Sequence, residues 1–180
     1  MRTMATFPPT PRTRVNRLPQ RAVYGRDEIY SILDESSLCH IGFAIGTQPY
    51  VIPVNYARRG DEILIHGSPA GRMVRALAAG ADACVAVALV DGVVLARSAT
   101  HHSINYRSVV IFGKARVVSD PAEKLDALRC LLNHIVPGRW EQVRPPTEKE
   151  LKGTMVLAIP LTEASAKIRQ GPALEDDGDA

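Results

Sequence analysis

The chain has 180 residues, of which 46% are hydrophobic and 23% charged, and its formal net charge is +3. These values are typical of one soluble globular domain with a sizeable core. The longest apolar run, ACVAVALV, ends at Asp91-Gly92 and is too short to cross a membrane. Three widely spaced cysteines without a C-x-x-C pair favour a reducing compartment, and we find no secretion signal. We therefore expect a cytoplasmic protein.

The charge is unevenly distributed along the chain. Residues 1–22 contain five arginines, several prolines and no acidic residue, and are predicted to form a flexible basic arm. Residues 23–168 are predicted to form the folded domain, and residues 169–180 an acidic tail. Because the arm lacks clustered cations interleaved with aromatic residues, we do not expect nucleic acid as a partner.

The predicted elements begin with a helix in RDEIYSILDES, followed by three strands in LCHIGFAI, YVIPVNY and EILIHG. The residues GTQP form the turn between the first two strands. Pro53 lies inside the second strand. Because proline has no amide hydrogen to donate, that strand must have an edge, a bulge or a ligand at this point.

A second helix is predicted to begin at Ser68, which is a good N-cap, with Pro69 in its first turn. Arg72 follows near the start of this helix, where partial positive charge and free N–H groups usually attract an acidic side chain. A cation at this position, preceded by Gly67 and Ser68, predicts a site for an anion such as phosphate.

The second half of the chain contains the remaining elements. Asp91-Gly92 between two apolar runs predicts a hairpin turn. The segment YRSVVIFGKARVVS is predicted to be a long strand with an unprotected edge, and DPAEKLDALRCLLNHIV a helix capped by Asp120. TMVLAIP is the last predicted strand. The whole pattern indicates an α+β fold, a six- to seven-stranded, mostly antiparallel split β-barrel with flanking helices.

The motifs of several enzyme classes are missing from the sequence. It contains no Gly-x-Ser-x-Gly motif, Walker loop or G-x-G-x-x-G motif. Adjacent His101 and His102 would point to opposite sides of an extended chain, so we predict no metal site. An anion site remains, built from IHGSPAGR, VIPVNY and the stretch that carries Arg107 and Ser108. Alternatives stay open: an ion pair across the fold for Arg72, and simple solvent exposure for Ser108.

Two stretches, VIPVNYARRGDEILIHGSPAGRMVRAL and NYRSVVIFGKARVV, give the chain a family resemblance. From about Arg21 to Gly171 it resembles the FMN-binding split β-barrel proteins related to pyridoxamine 5'-phosphate oxidase. Within that group it is most similar to the nitroimidazole-resistance (Nim-type) reductases and other flavin-nucleotide-binding proteins. The oxidases of this family carry a lysine where this chain has Met73, and their C-terminal tryptophan and arginine have no clear counterpart. We therefore do not expect oxidation of pyridoxamine phosphate.

The resemblance implies FMN bound at the interface of a homodimer. It implies that Arg72 contacts the FMN phosphate and that Ser108 also touches FMN. The strand that would line the flavin ring consists of Ile52, Pro53, Val54, Asn55 and Tyr56.

We therefore expect an FMN-dependent oxidoreductase. NAD(P)H or another reductant would supply two electrons for an electron-poor small molecule, such as a nitroaromatic compound or a quinone. His66 is the predicted proton donor. One alternative is that the barrel binds a deazaflavin or a haem, with His101 or His102 as axial ligand. Another is a non-enzymatic flavin-binding protein, or a nucleic-acid binder that uses the basic arm.

Overall fold

A computed structural model describes residues 5–173 of the chain. The strands in this range form two antiparallel sheets, a six-stranded sheet in the order β1-β10-β7-β6-β2-β3 and a four-stranded sheet in the order β4-β5-β9-β8. The strands are Ala22–Val23 (β1), Leu38–Ile45 (β2), Gln48–Asn55 (β3), Ala57–Arg59 (β4), Glu62–Gly67 (β5), Asp82–Val94 (β6), Ser103–Lys114 (β7), Arg116–Val117 (β8), Met155–Pro160 (β9) and Glu163–Arg169 (β10). The helices are Arg26–Glu35 (α1), Arg72–Ala78 (α2), Pro121–Ile135 (α3) and Glu148–Lys152 (α4), with short 3-10 turns at Pro19–Arg21 and Trp140–Gln142.

The predicted α+β class and antiparallel sheets are confirmed, but the strand count was too low. The ten strands include three that have only two or three residues, β1, β4 and β8, and the C-terminal strand β10. Strands this short carry no periodic signal of their own. The sequence of β10, EASAKIR, mixes small and charged residues, so its hydrophobic alternation is weak.

The core lies between the two sheets and beneath the helices. The larger cluster packs α1 and α2 against both sheets, and includes Ile29, Leu77 and Ile111. A smaller cluster lies under α3 and includes Leu64 and Leu131. All three cysteines are free. Within residues 5–173, no helix is long and apolar enough to cross a bilayer.

The predicted hairpin at Asp91-Gly92 is wrong. Strand β6 continues through this dipeptide to Val94, which pairs with Ser103, and the register shifts only between Val90 and Gly92. A tight hairpin turn needs left-handed backbone, and Gly92 is not among the residues with positive φ. The dipeptide therefore forms a bulge within a long strand, and the chain reverses in residues 95–102.

The prediction of an unprotected edge on the long strand is also wrong, because β7 pairs with β6 on one side and with β10 on the other. The two edge strands of this sheet are β1 and β3, and β3 pairs with β2. Pro53 lies in β3 opposite His40. The edge position, one of the three options that Pro53 left open, accounts for the proline.

The predicted solvated arm is wrong for the part of residues 1–22 that the structure describes. Phe7 is only 1% exposed, and its amide donates a hydrogen bond to the carbonyl of Tyr24. Arg12 forms an ion pair with Glu163 on β10. The apolar ring of Phe7 makes this segment part of the core. Residues 174–180 of the predicted acidic tail lie outside the described residues, and Arg169 belongs to β10 and is buried.

Candidate functional site

The turn between β5 and α2 positions Arg72, but not through the predicted cap. The N-cap residue is Gly71, and α2 has seven residues. Ser68 instead forms a tight turn: its carbonyl accepts a hydrogen bond from the Gly71 amide at 2.8 Å, and its hydroxyl accepts one from the Ala70 amide at 3.3 Å. Because α2 is so short, an anion at this site would depend on side-chain charge.

Gly67 has a packing role next to this turn. A Cβ atom added at Gly67 would lie 2.8 Å from Cγ2 of Val74 on α2. The absence of a side chain therefore lets α2 approach the end of β5 closely. This contact fixes the direction in which the first turn of α2, and with it Arg72, leaves the sheet.

Arg72 is exposed and is held by an aromatic side chain. Its guanidinium carbon lies 4.9 Å from the ring centroid of Tyr50 on β3, and Tyr50 stacks on Phe43 with their centroids 5.3 Å apart. Within residues 5–173, Arg72 forms no ion pair with a carboxylate. The ion pair across the fold that the sequence left open is therefore absent from the described structure. The two rings orient a cation that remains available for an anion.

Arg72 lines a cavity of about 850 Å³, which we call the Arg72 cavity. A second cation, Arg75, also lines it, and none of its lining residues is acidic. Arg75 was not among the predicted site residues, although the sequence of α2, with two arginines and no acidic residue, could have indicated it. The other lining residues are Ile45, Ala70, Ala76, Ala78, Ala79 and Met155.

The strand predicted to line a flavin ring presents two different faces. Ile52 and Val54 are half-buried and pack against the larger core cluster, whereas Pro53 and Asn55 are exposed on the opposite side. Alternate residues of a strand point to opposite faces, so these four cannot all meet one ligand from the same side.

Tyr56, the last residue of the predicted group, belongs to the core. It is 0% exposed, and its hydroxyl donates a hydrogen bond to the carbonyl oxygen of Leu33 at 2.6 Å. Burial raises the pKa of the Tyr56 hydroxyl above its ordinary value. In this structure Tyr56 joins β3 to α1 and is not placed to contact a ligand.

Arg107 and Ser108 are not brought to Arg72 within one chain. Arg107 donates to Glu35 at 2.5 Å and to Asp91 at 2.6 Å, and these hydrogen bonds raise its pKa. The Ser108 hydroxyl donates to the carbonyl of Lys167 at 3.2 Å. Both residues lie on β7, which β6 and β2 separate from β3 in the sheet. A role for either residue at the Arg72 cavity would need a second chain.

His66 lines a different cavity, of about 640 Å³, which we call the His66 cavity. The His66 side chain is exposed on β5, and partial desolvation lowers the pKa of its imidazole. Within residues 5–173, no group of three or more histidine, cysteine, aspartate or glutamate side chains is placed to hold a metal ion. The other lining residues are Asn55, Leu128, Leu131, Leu132, Ile135, Trp140, Val143, Arg144, Pro146, Glu150 and Thr154.

The family model described as pyridoxamine 5'-phosphate oxidase matches residues 25–168, and the chain belongs to this family. The resemblance found in the sequence is therefore confirmed.

Two solved structures are similar in sequence as well as in fold. The flavocytochrome Anf3 from Azotobacter vinelandii is 41% identical, with a TM-score of 0.88, over 95% of this chain and 79% of that one. The FAD and haem binding protein from Mycobacterium smegmatis is 35% identical, with a TM-score of 0.85, over 88% of this chain and 78% of that one.

A candidate 5-nitroimidazole antibiotic resistance protein from Bacteroides thetaiotaomicron VPI-5482 is 22% identical, with a TM-score of 0.69, over 82% of this chain and 86% of that one. At this identity the likeness concerns the fold alone. No curated protein sequence matches the chain.

Proposed function

We propose that this protein is a redox protein that binds a flavin nucleotide, with Arg72 on the flavin phosphate. The observation that carries the proposal is the exposed Arg72 guanidinium, oriented over Tyr50 and free of carboxylate partners within residues 5–173. A guanidinium donates two parallel hydrogen bonds to a phosphate, which makes such a residue well suited to this ligand. The flavin named in the 35% identical relative supports the same ligand class.

The chemistry that a bound flavin supplies is transfer of two electrons between a reductant such as NAD(P)H and an electron-poor small molecule, of the nitroaromatic or quinone type. The chain itself contributes binding and orientation. Arg72 fixes the phosphate end, and the exposed side of β3 around Pro53 offers backbone groups for a flat ring. No acidic side chain lines the Arg72 cavity to repel the anion.

The test is a spectrum of the protein as isolated, before and after dithionite, followed by titration of the apoprotein with flavin. The proposal expects the absorption bands of oxidised flavin, which dithionite bleaches, and tight binding of added flavin. A purified protein that carries no flavin and does not bind added FMN or FAD would contradict it.

A second candidate function is haem binding in the His66 cavity. His66 offers an imidazole as an axial ligand, and leucine, isoleucine, valine and tryptophan side chains supply apolar walls. The sequence predicted His66 as a proton donor, and haem ligation is an alternative role for the same side chain. His101 and His102 lie in the loop after β6, where Nδ1 of His102 lies 3.0 Å from the Ser98 carbonyl. The name of the 41% identical relative, a flavocytochrome, supports the binding of a haem in addition to a flavin.

Haem binding is tested by titrating the protein with haemin and following the Soret band. Replacing His66 with alanine is expected to shift or abolish the spectrum of the coordinated haem. The variants His101→Ala and His102→Ala are matched controls that leave the His66 cavity intact, and they are expected to behave like the wild type. A normal spectrum in His66→Ala would exclude this ligand.

We also propose that the protein is a homodimer in which the outer face of the six-stranded sheet is the interface. Small or half-buried side chains alternate there with the core residues: Gly42, Ala86 and Ala88 point outward beside buried Ile41 and Val85. These small side chains allow two sheets to approach closely over part of this face, which also carries the half-buried Val110 and Phe112 of β7. Ser108 lies on this same outer face, where it can approach a ligand held mainly by the other chain.

The dimer proposal is tested by mixing two variants that do not bind flavin. When Arg72→Ala and Ser108→Trp are unfolded and refolded together, a shared site predicts that some mixed dimers regain one intact site. Partial recovery of flavin binding is the expected result. A flavin-loaded monomer in sedimentation at micromolar concentration would contradict the shared site.

A further inference from the structure

The long hairpin formed by β6 and β7 extends beyond the rest of the six-stranded sheet. Strand β2 pairs with β6 only as far as Ala86, and β10 pairs with β7 only from Tyr106 onward. Within residues 5–173, residues 90–94 and 103–105 therefore pair only with each other. We call residues 90–106 the hairpin end. A two-stranded ribbon is only marginally stable on its own, so the contacts of its two faces decide whether it is held in place.

The bulge of β6 places two apolar side chains that are three positions apart on one face of the hairpin end. Val90 pairs with Tyr106, and Val93 pairs with Ile104. Tyr106 and Ile104 are two residues apart on β7, so their side chains point to the same face. Without the extra residue of the bulge, positions 90 and 93 would point to opposite faces.

This open face is apolar and exposed, whereas the opposite face is covered by the same chain. Val94 is only 5% exposed, and the Asn105 side chain donates a hydrogen bond to the carbonyl of Gly171 at 3.1 Å. Because contiguous exposed apolar side chains on a folded domain mark sites of association, the open face is a candidate interface. Four large exposed hydrophobic side chains belong to the hairpin end: Val90 (66% exposed), Val93 (72%), Ile104 (43%) and, directly after β6, Leu95 (74%).

The open face continues the outer face of the six-stranded sheet and carries no charged side chain within β6 and β7. Ala86, Ala88 and Val90 follow each other at two-residue intervals along β6, so they share one face. The charge of Asp91 in the bulge is balanced by Arg107, which also binds Glu35 on α1. These contacts tie the bulge to α1 and fix the direction of the hairpin end.

We infer that the open face of the hairpin end binds a second copy of this chain, and extends the dimer interface beyond the six-stranded sheet. This inference rests on the proposed homodimer. A two-fold interface brings the same surface of both copies together, so a charged face would repel itself. An uncharged face avoids this repulsion. Its large side chains also remove more apolar area from water than the alanines of the sheet, and association strengthens with that area.

The experiment is sedimentation of the full-length protein over nanomolar to micromolar concentrations, which gives the dissociation constant of the dimer. Val93→Asp should raise this constant at least about hundredfold, because the interface would bury an unpaired carboxylate from each copy. Val93→Ile keeps an apolar, β-branched side chain and should change the constant less than about threefold. Circular dichroism of each variant controls for folding, and the exposure of Val93 predicts that the monomer folds normally.

Leu125→Asp is the matched control, because Leu125 is an exposed apolar residue on α3, which packs against the four-stranded sheet. It should leave the dissociation constant unchanged. Hydrogen exchange of the wild type gives a second measurement that needs no variant. The amides of residues 90–95 and 103–106 should exchange more slowly above the dissociation constant than below it.

The inference is wrong if Val93→Asp dimerises as tightly as the wild type, or if exchange in the hairpin end does not depend on protein concentration. The proposed homodimer would stand in that case, held by the sheet alone. A wild type that stays monomeric would overturn the dimer and the inference together, and flavin titration of the same sample tests the flavin proposal separately. A monomer that binds vesicles of phosphatidylcholine and phosphatidylglycerol through Val93 would assign the open face to a membrane instead.

Discussion

Arg72 and Arg107 both lie in stretches from which the sequence predicted an anion site, but the structure gives them opposite surroundings. Arg107 is held between Glu35 of α1 and Asp91 in the bulge of β6. Arg72 has an aromatic ring beneath it and no carboxylate partner within residues 5–173. The charge of Arg107 is balanced by two carboxylates of the same chain. Arg72 and its neighbour Arg75 have no such partner within residues 5–173, so an external anion can pair with them.

The difference shows that the sequence position of a cation does not decide whether the cation is available. Glu35 is 72 residues from Arg107 in the sequence, so only the tertiary fold brings the two together. A site for an external anion requires arginine without such a partner, because an internal carboxylate competes directly for the same donors. The Arg72 cavity is the candidate site because its arginine side chain has no carboxylate partner within residues 5–173, and not merely because an arginine is present.

The largest expected effect is on flavin affinity in Arg72→Ala. The change removes charge-assisted hydrogen bonds worth about 1.5–3 kcal/mol, so the dissociation constant should rise roughly tenfold to hundredfold. Titration of the apoprotein with flavin measures it. Arg107→Ala is the paired comparison, because it removes the same group from the neutralised position and should change the affinity less than threefold if the partner subunit does not depend on it.

If Arg72→Ala binds flavin as tightly as the wild type, the phosphate assignment is wrong. If instead Arg107→Ala weakens binding as strongly as Arg72→Ala, the contrast between the two arginines does not hold, and the shared dimer site gains support. Thermal unfolding of the apoproteins controls for folding. Arg72→Ala should leave the apoprotein stability nearly unchanged, because its side chain is exposed and has no ion pair in residues 5–173.

The next effect concerns Tyr56, which the resemblance implied as a flavin contact and which the structure buries. Tyr56→Phe removes the hydroxyl that donates to Leu33 and leaves that carbonyl without this partner. The expected loss is about 1–2 kcal/mol in the free energy of unfolding, with no change in flavin affinity. Urea denaturation and flavin titration measure the two quantities separately.

Tyr106→Phe is the matched control, because Tyr106 is half-buried and its hydroxyl makes no hydrogen bond within residues 5–173. It should cost little stability. If Tyr56→Phe keeps its stability but no longer binds flavin, the prediction is wrong and Tyr56 contacts the flavin.

Local sequence signals predicted much of the fold. Asp120 caps α3 as expected, accepting a hydrogen bond from the Glu123 amide at 2.8 Å, and Pro53 marks a sheet edge. These features depend on residues close in the chain or on the chemistry of one residue. The bulge at Asp91-Gly92 was missed because pairing with the whole length of β7 outweighs a local turn preference.

The candidate site was predicted only in part, for a related reason. Arg72 was identified because the sequence shows a cation at the start of a short helix. The burial of Tyr56 depends on α1, which is distant in the sequence, and the second cavity depends on α3 and Trp140 packing beside His66. Side-chain direction also matters, since Arg75 joins the cavity while buried Met73 does not.

The smallest expected effect is the pH dependence of the stability difference between the wild type and Arg107→Gln. Its hydrogen bonds hold the pKa values of Glu35 and Asp91 below their ordinary values. A carboxylate whose pKa is lowered by folding stabilises the protein above its unfolded pKa, and this contribution disappears as the pH falls through the folded pKa. The stability lost in Arg107→Gln should therefore be largest near neutral pH and should shrink as the pH falls below about 4.

Urea midpoints of wild type and Arg107→Gln from neutral pH to about pH 3 measure this difference. All three groups are partly exposed, so added salt should reduce it as well. Arg139→Gln carries the same substitution at a residue whose side chain bonds to Gln142, a group that does not titrate, and its stability difference should not follow this pH course. A pH-independent difference in Arg107→Gln would mean that the two carboxylates do not neutralise Arg107, and Arg107 would then be as available to an external anion as Arg72.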